Sequence, residues 1–345
     1  KSHPEHSFIF IFDRPFDKRF VFAENVKAIP APPRAKHPII WHWWNHRTIP
    51  SLLKKSGADI YISPDGMIPT RLSIPSIPVI HDISFIHRPK DIPLLKSLYY
   101  RKLFPRYAAA ASRIMTVSEF SASDISETLG IDRSKIDVVL NGVSEEFYSD
   151  IGPVTDIIPR LSEERSYFLF VGNLSPRKNV PNTIRAFNRY RETSNNDHIL
   201  VISGERFFLN SEADREYKES PFKDDIIFTG PMNRSQLRRL YSNALALLFI
   251  PWFEGFGIPV IEAMRCGTPV ITSDTSSLPE VSGDAAILVS PDNIEEISNV
   301  MKMVVSDSPL RETLISKGYA NASKFSWDST AELFWNSIEK TIKNR

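Results

Sequence analysis

Short apolar runs alternate with helical segments along almost the whole chain, and no other feature narrows its fold so far. In the first half the runs at 7–12, 58–63, 77–80, 113–117 and 136–140 read as strands. Segments 41–56, which reads as helical despite Pro50, 92–112 and 118–129 read as helices, the last capped by Ser118 and stopped by Gly130. Residues 29–38 are Pro-rich and read as a loop. A second series begins with the strand 166–172 and continues with 198–203, 225–229, 244–250 and 269–272. Its helices fall at 181–193, 235–243, 257–266, 293–305 and 309–323, followed by an amphipathic helix from Trp327 to Lys343. Buried strands separated by helices imply mostly parallel, doubly wound sheets, so the fold class is α/β with two Rossmann-like domains. Between the series, 144–165 carries Pro153, Pro159 and scattered charge and reads as a linker. The division expected is 1–148 and 149–326, with 327–345 as a final helix.

Composition excludes several functions. A single cysteine, Cys266, rules out a disulfide framework or thiolate metal cage and suits a reducing, cytoplasmic compartment. No run of 18 apolar residues is present to span a membrane, and no signal peptide is visible, although the chain begins at Lys1. Zinc-type His/Cys spacing, an Asp-X-Asp pair and a P-loop are missing. The net charge of +1 conceals an asymmetry: residues 1–113 hold 18 Lys and Arg against 8 Asp and Glu. A basic half beside an acidic one bears on partners rather than fold.

The most informative local stretch is 251–264, Pro-Trp-Phe-Glu-Gly-Phe-Gly-Ile-Pro-Val-Ile-Glu-Ala-Met. A buried strand ends at Pro251, and a helix opens near Gly257 with Pro259 in its first turn, where its missing N–H costs nothing. That places a helix N-terminus at the carboxyl end of a strand, a site for an anion or a hydroxyl-rich ligand. Glu254 lies in the turn and Glu262 on the helix; the plain alternative is a strand–turn–helix with two solvated glutamates. Gly172-Asn173-Leu174-Ser175-Pro176-Arg177-Lys178-Asn179 also joins a strand to a helix, and its adjacent cations suit a diphosphate or are ordinary surface basics. His81 ends the strand 77–80 and is followed by Asp82, which either orients the ring or caps the next turn. Segment 91–113 interleaves Lys96, Arg101, Lys102, Arg106 and Arg113 with Tyr99, Tyr100, Phe104 and Tyr107. It packs on the sheet or meets anionic lipid.

The string from Glu254 to Glu262, extended by 263–271 and 278–286, resembles the signature of glycosyltransferase family 4, retaining enzymes of GT-B architecture. The resemblance implies two Rossmann-like domains facing across a cleft, with the last helix crossing back onto the first domain. Members usually open with a strand, a Gly-rich loop and a helix ahead of the strand at 7–12, so the first domain is expected to lack that unit. By resemblance, Glu254 contacts donor-sugar hydroxyls, Glu262 the ribose, and Gly255, Phe256, Gly257 and Ile258 offer backbone groups. Gly172 belongs to the phosphate loop, Lys178 matches the family lysine, Asn173 replaces a frequent arginine, and Arg177 supplies that charge. His81 resembles the histidine that faces the donor sugar. The implied reaction moves a hexose from a nucleotide diphosphate sugar to a saccharide or lipid-linked acceptor, without metal or other cofactor and without nucleic acid. The segments 174–179 and 81–85 are closest to bacterial surface-polysaccharide mannosyltransferases, which makes GDP-mannose the first expectation for the donor. The competing expectation is a non-catalytic binding subunit of the same fold. Attachment to the inner face of the plasma membrane is expected from the basic first half.

Overall fold

The computed structural model describes residues 3–34, 38–159, 161, 165–205 and 212–343. The chain divides into two compact units, one of Lys1–Val79, Ile92–Ile114 and Thr341–Arg345, the other of Ile80–Asp91 and Met115–Lys340.

In the first unit β1 (Phe8–Phe12) pairs in parallel with β2 (Val26–Pro30), Phe8 opposite Val26 and Phe12 opposite Pro30. β2 corrects the expected loop at 29–38: Pro30 is the last strand residue, where a missing N–H is tolerated. Residues 35–37 of that loop lie outside the described residues. β3 (Tyr61–Ser63) and β4 (Ser76–Pro78) form a second parallel pair. The helical segment at 41–56 is built in pieces, with a π-turn at Trp44–Thr48 ahead of the helix Ile49–Ser56. The turn lets Pro50 fall in the first turn of that helix, so its absent N–H breaks no bond. Trp44, Ile49, Leu53 and Ala31 form a small core, with the Trp44 indole donating to the Ala31 carbonyl at 2.6 Å. The helix Leu94–Ala110 buries Ser97, Phe104, Tyr107 and Ala108. Its opposite face exposes Leu94, Leu95 and Leu98 beside Lys96, Arg101, Lys102 and Arg106.

β5 (Ile114–Thr116) and β6 (Ile136–Val138) pair next. The helix Glu119–Leu129 follows β5, with Ser118 accepting from the Ser121 N–H and left-handed Gly130 closing it. The large sheet of the second unit contains β7 (Tyr167–Val171), β8 (Ile199–Ser203), β9 (Ile226–Gly230), β10 (Ala246–Phe249), β11 (Val270–Ser273) and β12 (Ile287–Val289), in the order β12-β11-β10-β7-β8-β9. Its pairings are parallel. The period of two divides β7 between two cores: Tyr167, Leu169 and Val171 face one, Phe168 and Phe170 the other. The chain runs outward from β7 through β8 to β9 and then returns to β10 on the other side of β7. Between β7 and β10 the order reverses, and in an open parallel sheet that is where ligands bind, beyond the carboxyl ends.

β12 and the short helices Ser84–His87, Glu212–Glu219 and Leu278–Ser282 have no counterpart in the sequence reading. Each spans too few residues for a hydrophobic period to show. From the stretch 144–165, Phe147, Ile158 and Leu161 are buried in the second unit's core; 160 and 162–164 lie outside the described residues. The helix Trp327–Lys343 is tied to the end of β6: Thr330 Oγ1 donates to the Leu140 carbonyl at 2.7 Å, and Ser337 Oγ to Asp137 at 2.6 Å. Among the described residues no helix is long and apolar enough to cross a membrane.

Candidate active site

The loops after β7 and β10 meet at the switch point. β7 runs into Gly172, whose N–H donates to the Ser203 carbonyl at 2.9 Å, and exposed Asn173 follows, its side chain accepting from the Ser175 N–H at 3.4 Å. A tight turn, Pro176–Lys178, then ends at Asn179, which is left-handed at φ 58° and fully buried. The Asn179 amide anchors the turn by donating to the Ile250 carbonyl at 3.0 Å and the Pro291 carbonyl at 2.8 Å. Trp252 N–H closes the seam on the Arg177 carbonyl at 2.9 Å. The two loops therefore form one rigid platform.

On that platform Glu254 takes both cations. Arg177 Nη1 donates to Glu254 Oε2 at 2.7 Å and to the Phe253 carbonyl at 3.0 Å. Lys178 Nζ donates to the same Glu254 oxygen and lies 4.6 Å from the centre of the Phe249 ring. Burial works against the charge of Glu254, but Lys178 and Arg177 outweigh it and hold the carboxyl below its usual range. Burial pushes the Lys178 ammonium below the ordinary lysine value, with Glu254 opposing. Burial also works against Arg177, yet Glu254 and then Asp82 keep its guanidinium raised. One carboxylate thus holds two largely buried cations, which carry an excess positive charge toward an arriving anion.

The turn carrying Glu254 is itself held by hydroxyls. Glu254 N–H donates to Ser276 Oγ at 3.1 Å, and Ser277 Oγ donates to the Glu254 and Phe256 carbonyls at 2.9 and 3.0 Å. Ser118 Oγ donates to the Gly255 carbonyl at 2.7 Å; Ser121 Oγ is 3.2 Å from it and 3.1 Å from the His81 carbonyl. Gly255 is so close to the His81 strand end that a Cβ would lie 2.5 Å from the His81 carbonyl oxygen. Only glycine fits there. The backbone of His81, whose side chain is exposed, thereby packs against the Glu254–Gly257 turn. Asp82 Oδ1 accepts from the Ser84 N–H at 2.9 Å, so of its two readings it caps the next turn. Gly257, at φ 102°, opens the helix Ile258–Arg265, and among the described residues no side chain caps that end. Phe256 is buried against Phe325, and Ile258 is half-buried.

Glu262 sits on this helix away from the cations. Tyr241 OH donates to its Oε2 at 3.0 Å, and burial pushes the carboxyl up to about 7. Cys266, one turn on, is buried with its thiol pushed up to about 12, which suits packing rather than nucleophilic work. The structure thus joins Arg177, Lys178 and Glu254 directly, sets Gly255 against His81, and gives Glu262 an environment of its own. Ser121, Ser276 and Ser277 are additions that the sequence reading missed, and Ser118, read there only as a helix cap, also holds this turn. Their partners are mostly distant in the chain, and only the Ser118-X-X-Ser121 helix start carries a local signal.

The comparisons with known proteins bear on the family and the fold. The family described as Glycosyltransferase Family 4 matches residues 6–147, and Glycosyl transferases group 1 matches 156–321. An Escherichia coli protein named O-antigen chain mannosyltransferase B is 29% identical over 274 residues, 78% of this chain and 71% of its own. The O-antigen chain mannosyltransferase RfbU of Salmonella typhimurium is 28% identical over 268 residues, 77% of this chain and 71% of its own. Sucrose-phosphate synthase from Thermosynechococcus elongatus superposes with a TM-score of 0.75 at 16% identity, covering 94% of this chain and 85% of that one. Anabaena HepE, solved in complex with UDP and glucose, gives 0.74 at 15% identity, covering 96% and 91%. At such identities the solved structures establish the fold alone, GT-B. The switch-point site, the two family matches and the shared fold together make this chain a glycosyltransferase of the GT-B class, a member of glycosyltransferase family 4.

Proposed function

We propose that this glycosyltransferase moves mannose from GDP-mannose to a saccharide or lipid-linked acceptor of a cell-surface polysaccharide, with retention at the anomeric carbon. The observation that carries the reading is the buried Arg177–Lys178–Glu254 cluster at the switch point. In the reaction the bond from C1 to the phosphate oxygen breaks and a bond from C1 to the acceptor oxygen forms on the same face. The acceptor's proton passes to the departing phosphate, and GDP leaves. Negative charge grows on the diphosphate as the bond breaks, and fixed cations at that position stabilise the transition state more than the ground state. Lys178 and Arg177 fill that role, with the start of the helix at Gly257 adding a partial positive charge. Glu254 holds them before the donor arrives and then accepts donor-sugar hydroxyls. Glu262 receives the ribose hydroxyls; Gly172, Asn173, Gly255, Phe256, Gly257 and Ile258 line the donor; and His81 faces the transferred sugar. With charge stabilisation assigned to side chains, no metal takes part.

The choice of mannose is supported by the names of the two bacterial relatives. For the acceptor, the exposed Leu94, Leu95 and Leu98 beside a basic stripe support contact with an anionic bilayer at the inner face of the plasma membrane. A panel of nucleotide sugars, scored by thermal shift and then by slow hydrolysis, tests the donor. GDP-mannose should give the largest shift and release mannose. A shift from uridine nucleotides alone would overturn the donor. Binding without hydrolysis or transfer would favour the non-catalytic subunit.

A further inference from the structure

Glu280 lies on the short helix Leu278–Ser282, apart from the donor-binding set, and its exposed carboxylate reaches a second element of the same unit. Its Oε1 accepts from the Glu119 N–H at 2.9 Å and its Oε2 from the Phe120 N–H at 3.0 Å. Those two groups open the helix Glu119–Leu129, where backbone donors have no partner within the helix. Ser118 Oγ accepts from the Ser121 N–H, the next in line, at 3.0 Å. Two carboxylate oxygens on two donors at the positive end of a helix make a charge-assisted pair. Glu119, the other carboxylate of that first turn, is turned away to Arg133 Nη2 at 2.5 Å.

The helix start that Glu280 grips is also the one that holds the Glu254 turn. Ser118 Oγ donates to the Gly255 carbonyl, and Ser121 Oγ lies within reach of the same oxygen. Phe120 sets its ring edge-on to Phe253, the centroids 5.6 Å apart. Three residues before Glu280, Ser277 Oγ donates to the Glu254 and Phe256 carbonyls, and the Ser277 N–H to the Glu254 carbonyl at 3.4 Å. The turn 253–256, the segment 276–280 and the helix start 118–121 are thus joined pairwise, and Glu280 makes the joint between the last two. A ring closed in this way fixes each member by the other two. With that joint cut, the turn hangs between two supports that move independently. Asp307 offers the contrast of a helix cap away from the turn: its Oδ1 accepts from the Leu310 N–H at 2.9 Å at the start of the helix Ser308–Ala322.

We propose that Glu280 is a positioning residue for glycosyl transfer. By pinning the 119–120 backbone to the segment 276–280 it keeps the turn, and with it the Glu254 carboxylate on Lys178 and Arg177, aligned with the donor sugar. This role rests on the reading of Glu254 as a donor-sugar contact. The test compares Glu280→Ala with Asp307→Ala. In Glu280→Ala the kcat for mannose release or transfer from GDP-mannose should fall about tenfold or more, while Asp307→Ala keeps its rate. GDP affinity by calorimetry should be unchanged in both. Formate, which can refill the empty carboxylate position, should recover part of the rate in Glu280→Ala and none in the unaltered chain. Glu280→Gln, which sets an amide donor against a backbone donor, should fall between. Hydrogen exchange read by mass spectrometry separates this role from the choice of substrate: the amides of 253–258 should exchange faster in Glu280→Ala than in Asp307→Ala or the unaltered chain. Faster exchange without turnover of any nucleotide sugar by the unaltered chain would bring down the functional reading and leave the hold of Glu280 on the turn standing. Unchanged exchange at 253–258 would overturn the role of Glu280. So would equal rate losses in the two Ala variants, or a loss of GDP affinity that matches the loss of rate.

Discussion

β7 and β1 are apolar pentapeptides of nearly one composition, Tyr-Phe-Leu-Phe-Val and Phe-Ile-Phe-Ile-Phe, yet β7 is buried at all five positions and β1 at none. The difference lies in their neighbours. β7 has β10 on one side and β8 on the other and contributes to cores on both its faces, whereas among the described residues β1 pairs with β2 alone. Apolar sequence is enough to make a strand; burial depends on what the rest of the unit stacks around it. The chemistry follows the same division. Arg177, Lys178 and Glu254 stand on loops that β7 and β10 hold rigid, while the first unit offers a surface, an exposed leucine–arginine helix face.

The sharpest way to break this comparison is to cut the same ring from each strand. Phe170→Ala should cost about 3–5 kcal/mol through the cavity it leaves. Phe10→Ala, from a half-exposed strand, should cost about 1 kcal/mol. Chemical denaturation measures both, and equal losses would mean that neighbour number does not govern these strands.

Glu254→Ala comes next. Removing the shared partner leaves two buried cations facing each other, a loss of roughly 3 kcal/mol or more in the free protein. A nucleoside diphosphate should restore much of that stability, since its charge replaces the carboxylate. Turnover should fall far more than nucleotide affinity, whereas Glu262→Ala should chiefly weaken the nucleotide. Titration calorimetry with GDP and a turnover assay separate the two; matching losses of affinity would refute the division of roles.

A smaller effect concerns pH. Glu262 is raised from 4.5 to about 7, so its contribution to folding is full below about pH 4.5 and is lost as pH rises through 7. Ribose binding runs the other way if the hydroxyls donate to a carboxylate. GDP affinity should rise by up to about tenfold per pH unit below 7 and level off above it. Glu262→Gln should remove that part of the profile, leaving only the titration of GDP itself. Identical profiles for the two proteins would take Glu262 out of the ribose contact.

The weakest effects belong to the basic helix face. Each Lys or Arg near an anionic bilayer contributes about 1 kcal/mol, and salt screens it within a Debye length. Vesicle binding should need anionic lipid, weaken with salt, and drop when Arg101, Lys102 and Arg106 become Ser. Equal sedimentation with neutral and anionic vesicles would leave the helix as ordinary packing.

Much of the second unit is legible in the sequence because its strands are continuous apolar runs and its loops carry Gly172, Lys178, Glu254 and Gly257 at sheet ends. The strand Val26–Pro30 is illegible, since Ala28 and Pro30 are weak strand formers and only pairing with β1 makes them extended. The serine clamps are hidden for a different reason: Ser118 meets Gly255 across 137 residues, and no local pattern encodes that contact. Glu254 can be singled out from its spacing to Glu262, but its grip on both cations appears only when the β7 and β10 loops are brought together.

The most direct test of the site is the rate of mannose release or transfer from GDP-mannose, measured in excess EDTA for the unaltered chain and for Lys178→Met. Side-chain stabilisation of the departing diphosphate predicts an unchanged rate in chelator and a loss of about 10²–10³-fold in the variant. A rate abolished by EDTA and restored by Mg²⁺ or Mn²⁺, with Lys178→Met as active as the unaltered chain, would contradict it.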